Sequence, residues 1–104
     1  MAVAGQMIVS DRRPFTVEVD ANSAVPDLSV VTAVYFYVLR GTGQTQQWSC
    51  FVTSQTSTAL IASYAPQQGD NDTVGETIHL RPYLVVPSSP DVPCGGFEIQ
   101  VVAR

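Results

Sequence analysis

One histidine, two cysteines, an acidic loop and a small set of aromatic residues are the groups from which this chain could build chemistry. His79 is the sole histidine, so neither a histidine-based metal cluster nor a nucleophile–histidine–acid set has an evident second member. A histidine satisfied within a strand is the expected role. Asp70, Asn71, Asp72 and Gly75 partly match a calcium loop, but Val74 occupies a ligand position and Arg81 stands where the terminal glutamate belongs, so a polar turn is expected. Asn71-Asp72-Thr73 also fits a glycosylation sequon, which has meaning only in a secreted eukaryotic chain. Gly41 and Gly43 join two strand patterns, and no helix N-terminus follows to present amides to a phosphate, so they mark a hairpin. No catalytic residue, cofactor or metal is assigned. Trp48, Tyr35, Tyr37 and Tyr64 remain; aromatic faces stack on sugar rings and on protein anchors alike, and core packing is the competing use, above all for Trp48.

Composition narrows the function classes. The 104 residues fit one domain with little room for a second core, and 45% hydrophobic content is too high for a disordered tail. Lysine is absent, and the five basic residues (Arg12, Arg13, Arg40, Arg81, Arg104) are scattered in a chain of net charge −4, which disfavours nucleic-acid binding through phosphate neutralisation. Only 13% of residues are charged, as expected of a domain whose exterior is largely covered by other protein. The start MAVAGQMIV lacks a basic n-region and a long apolar stretch, and the apolar run at 30–39 is too short to span a bilayer as a helix, so a soluble chain without a signal peptide is expected. Cys50 falls in a strand pattern and Cys94 in a Pro/Gly-rich turn. A disulfide between them is geometrically conceivable, with buried, reduced thiols the expected state.

The elements that must position these groups all read as strands. Phe15, Val17 and Val19 alternate with Thr16, Glu18 and Asp20, the signature of a half-buried strand. After a turn at 21–27, residues 30–39 are apolar on both faces: Val31, Ala33, Tyr35, Tyr37 and Leu39 point one way, and Val30, Thr32, Val34, Phe36 and Val38 the other. Such a strand is either covered on both sides or packs one face inside and offers the other to a second chain. Residues 47–53 read as a third strand with Trp48, Cys50 and Val52 inward, and 58–64 as a fourth, ended by Pro66. The pattern resumes at 76–86, where Pro82 interrupts the ladder and predicts a bent or edge strand. Residues 87–96, rich in proline and glycine, read as a stiff projecting loop rather than a regular element. Phe97, Ile99 and Val101 alternate in a final strand.

No window shows capped helical periodicity, so the fold class is all-β. Six or seven short strands fit a single antiparallel Ig-like β-sandwich over residues 15–104, with 1–14 as an N-terminal arm or first strand and a small barrel as the alternative. Cys50 and Cys94 do not flank a tryptophan in the order of the antibody pair, so the likeness is one of architecture.

The segments DANSAVPDLSVVTAVYFYVLR, GTGQTQQW, TVGETIHLRPYLVV and GGFEIQVV together resemble the Ig-like domains of tailed-phage structural proteins, notably the N-terminal domain of baseplate upper proteins. Asp20, Asn22, Pro26, Asp27, Leu28 and Ser29 match that family's first turn. Residues 73–77 match a later strand entry without its usual proline or tyrosine, and a chain lacking the family's long C-terminal region of receptor-binding modules is expected. The resemblance implies a non-enzymatic virion structural protein, assembled in the host cytoplasm, that binds other structural subunits as a homo-oligomer or on a lattice, either as capsid decoration (cement) or in the tail, neck or baseplate. No nucleic-acid or membrane partner is expected, on the charge balance and the short apolar run given above. The candidate contacts are Met7 and Val9 in the arm, Tyr35 and Tyr37 on the long strand, and Pro87, Pro90, Val92 and Pro93 in the loop, since outward tyrosines leave an apolar patch and such patches mark interfaces. A carbohydrate-binding or adhesion module using exposed aromatics is the alternative.

Overall fold

The computed structural model describes residues 3–87 and 89–104. Among these described residues nine strands form two sheets: β1 (Val3–Ile8), β2 (Phe15–Asp20), β3 (Ala33–Leu39), β4 (Thr45–Ser49), β5 (Phe51–Gln55), β6 (Ala59–Tyr64), β7 (Thr77–Val85), β8 (Val92–Pro93) and β9 (Phe97–Val102). The larger sheet runs β1-β9-β7-β3-β4, with β8 also on β7, and the smaller runs β2-β6-β5. This is an Ig-like sandwich: β2, β6 and β5 occupy the B-E-D positions, and β4, β3, β7 and β9 the C′-C-F-G positions of a variable-type domain. All strand pairs are antiparallel except β1, which lies parallel to β9 from Val3 opposite Glu98 to Ile8 opposite Val102.

Three local outcomes differ from the sequence pattern. The stretch at 47–53 is two strands, because the chain leaves the larger sheet after Ser49 and enters the smaller one at Phe51; Cys50 is the joint, its amide bonded to the Val34 carbonyl at 3.0 Å. Val52, on the far side of that joint, is 36% exposed rather than inward. Pro82 lies in a central strand, not at an edge: β7 pairs with β3 along its length and with β9 and β8 in turn on the other side. The Pro82 carbonyl accepts from Cys94 N at 2.8 Å, so its nitrogen points to the same side, into the gap where β9 pairing stops at Leu80 and β8 pairing starts at Tyr83. A missing N–H breaks no ladder there. The loop at 87–96 does not simply project, since Val92-Pro93 folds back on Tyr83 and Leu84 as β8.

Strand alternation fills the core. Val34, Phe36 and Val38 of β3 are buried, as are Leu60, Ala62 and Tyr64 of β6 and Ile78, Leu80 and Leu84 of β7. Phe36 sits among aromatics, with ring centroids 5.7 Å from Phe15, 6.3 Å from Tyr64 and 5.9 Å from Phe97, and Trp48 stacks on Tyr64 at 4.8 Å. Below this cluster Arg40 and Glu76, side chains 8% and 7% exposed, form a buried ion pair. The Arg40 guanidinium also donates to the Gly69 carbonyl, and Glu76 accepts the Gly41 amide. Glycine at 41 suits that approach, because a Cβ there would stand 3.0 Å from Glu76 Cγ and the Glu76 side chain would have to shift.

Candidate docking face on the larger sheet

The side chains that β3 does not bury form one surface. Tyr35, Tyr37 and Leu39 point away from the core, and the antiparallel register sets each opposite an outward residue of β7: Tyr83, Arg81 and His79 respectively. On the other side of β3 the opposed residues are Ser49, Gln47 and Thr45 of β4. Tyr35 and Tyr83 stack with centroids 5.4 Å apart and rings 1° from parallel, and Tyr37 meets Tyr83 edge-on at 6.1 Å. Tyr37 and Leu39 stay 42% and 39% exposed. Between them and Tyr83 lies a shallow depression of about 300 Å³, bordered also by His79, Arg81 and Gly96.

Polar groups frame this apolar centre. Tyr35 donates its hydroxyl to Asp91 Oδ2 at 2.7 Å, and that bond, with a smaller contribution from burial, raises the phenol to about 12, so it remains a neutral donor. His79 Nδ1 stands 3.3 Å from Glu98 Oε1. Among the described residues no hydroxyl or thiol donates to His79, and no three His, Cys, Asp or Glu side chains converge to hold a metal. Arg81 is exposed and makes no ion pair among the described residues.

The sequence-derived contacts separate on this structure. Tyr35, Tyr37 and Pro93 share the outer surface, Pro93 lying opposite Tyr83. Pro87 and Pro90 are exposed in the connection from β7 to β8. Met7 and Val9 pack partly against the aromatic core, and Val92 partly against the core beneath β8, each staying half-buried and away from the tyrosine cluster. Trp48 and Tyr64 are 5% and 8% exposed and cannot offer a sugar platform. Tyr83, Leu39 and Arg81 were not among the sequence candidates. The signal was present, since His79, Arg81 and Tyr83 alternate with the buried Ile78, Leu80 and Leu84, but Pro82 obscured it.

The acidic loop is occupied by the protein itself. Asp70 accepts the Tyr64 hydroxyl at 2.5 Å and the Gln67 amide at 2.7 Å, and the phenol is raised by burial first and this bond second. Asn71 is fully buried, donating to the Asp11 carbonyl and accepting from Arg12. Asp72 is lowered to about 2 by the Gly69 amide, Ser10 and Arg12. Cys50 and Cys94 are free thiols, and burial pushes Cys50 up to about 11 and Cys94 in the same direction, which makes both poor nucleophiles.

No family model, curated protein or solved structure matches this chain.

Proposed function

We propose that this chain is a non-enzymatic structural subunit of a tailed-phage virion that docks on another virion protein through the outer face of its larger sheet. The observation that carries the reading is the Tyr35–Tyr83–Tyr37 cluster, an ordered aromatic patch on a sheet face that the fold leaves uncovered. Interfaces concentrate their binding energy in such central aromatic and arginine side chains, and Arg81 lies in the same patch. Motif likeness to phage Ig-like domains supplies the virion setting; capsid decoration and a tail, neck or baseplate position both accommodate it.

Quantitative mass spectrometry of purified particles tests the setting: a ratio near that of the major capsid protein means decoration, a few copies mean tail, neck or baseplate, and absence overturns it. Immobilised chain tests the face. Wild type is expected to retain a purified virion protein that the Tyr37→Ala and Tyr83→Ala variants do not. The exposed Tyr37 ring also suits a sugar, so retention of glycans on an array, lost in Tyr37→Ala, with no protein partner retained, would favour the adhesion module instead.

A further inference from the structure

No Asp, Glu, Lys, Arg or His occurs between Arg40 and Asp70, and this uncharged stretch builds β4, β5 and β6. Two of these three are sheet edges. From this arrangement we propose that β4 is a strand-addition site for a second copy of this chain, β4 pairing antiparallel with β4 of the other copy about a two-fold axis normal to the larger sheet.

The free edges of the sandwich are β1 and β4 in the larger sheet and β2 and β5 in the smaller. An edge presents unpaired amides and carbonyls, and proteins blunt it with charged side chains, proline or a bulge. β2 carries exposed Glu18 and Asp20. β5 has a register shift between Val52 and Ser54. β1 has one between Val3 and Gly5 and runs into the charged turn Asp11-Arg12-Arg13. β4 has none of these guards. Its ladder with β3 is unbroken from Leu39 opposite Thr45 to Tyr35 opposite Ser49, and TQQWS holds no charge and no proline.

Charge selects the occupant. Two copies of a chain of net charge −4 repel wherever their acidic groups meet, and β4 is the regular edge at which they approach without opposing like charges. Its sequence is also self-complementary in antiparallel register. With Gln47 on the axis, Gln47 faces its own copy and Thr45 faces Ser49, so the outward pairs are all uncharged hydrogen-bonding side chains. Thr45, Gln47 and Ser49 lie on the same surface as Leu39, Tyr37 and Tyr35. A two-fold axis normal to the sheet preserves that side, so the joined sheets would carry two tyrosine clusters on one continuous surface.

Sedimentation equilibrium from roughly 1 to 100 µM is the test. Wild type is expected to dimerise in this range and Gln47→Lys to be monomeric, since it places two ammonium groups opposite one another on the axis. Gln47→Glu should likewise be monomeric alone, and mixing it with Gln47→Lys should restore a dimer that native mass spectrometry identifies as mixed. Tyr37→Ala should dimerise as wild type does, which separates this edge from the docking face. A monomeric wild type across the range overturns the proposal and leaves the edge to an extended segment of another protein. A dimer that survives Gln47→Lys, or that Tyr37→Ala abolishes, overturns it as well.

Discussion

The two faces of the larger sheet are built from the same residue types on the same strands, yet they do opposite things. On the inner side Phe36 is wholly buried among Phe15, Tyr64 and Phe97, while one residue to either side Tyr35 and Tyr37 point outward, Tyr35 stacking on Tyr83 and Tyr37 meeting it edge-on. Aromatic content therefore does not distinguish core from surface here; coverage does. The smaller sheet shields the inner face, and the smaller set of ordered contacts on the outer face leaves Tyr37 and Leu39 accessible. Residues of the inner face should govern stability and those of the outer face recognition.

Phe36→Ala tests the inner side most severely. Removing a fully buried ring at the centre of the aromatic cluster is expected to destabilise the domain by about 3–5 kcal/mol, read from chemical denaturation. Tyr64→Phe keeps the stacking on Trp48 but removes a hydroxyl bonded to the Asp70 carboxylate, and should cost about 1.5–3 kcal/mol by the same measurement. Tyr37→Ala should leave stability within about 0.5 kcal/mol while weakening docking by about 2 kcal/mol or more, close to 30-fold in Kd by calorimetry. If Tyr37→Ala costs the domain as much stability as Phe36→Ala does, the division between faces is wrong. The mildest effect is confined to acid. Asp72 and Asp11 each have a carboxyl lowered from 3.8 to about 2, so their stabilising contribution is present at neutral pH and lost as pH falls from 3.8 through about 2. Asp72→Asn should flatten the fall of Tm across that range.

Period-two alternation made the architecture legible, because it fixes which side each strand residue faces: Val17 and Val19, Phe36 and Val38, and Ile99 and Val101 all turn inward as their spacing dictates. The outward setting of Tyr35 and Tyr37 was legible for the same reason. What alternation cannot encode is pairing. The switch of sheets at Cys50 reverses no hydrophobic pattern, so TQQWSCFVTSQ looks like one strand. Pro82 carries a rule against central strands, and only the break between β8 and β9 relieves it. Tyr83 was missed with it, as the partner of Tyr35 depends on a register between strands almost fifty residues apart.

The parallel pairing of β1 with β9 determines how this domain carries tension. Val3 and Val102 lie at opposite ends of two strands running side by side, so a load pulling them apart acts along the strands and strains the bonds of the whole pair at once. A hairpin such as β3–β4, pulled at its open end, would instead unzip bond by bond. The sandwich can thus serve as a stiff link when force enters through its first and last strands, and force spectroscopy across them should record a single abrupt rupture rather than gradual peeling.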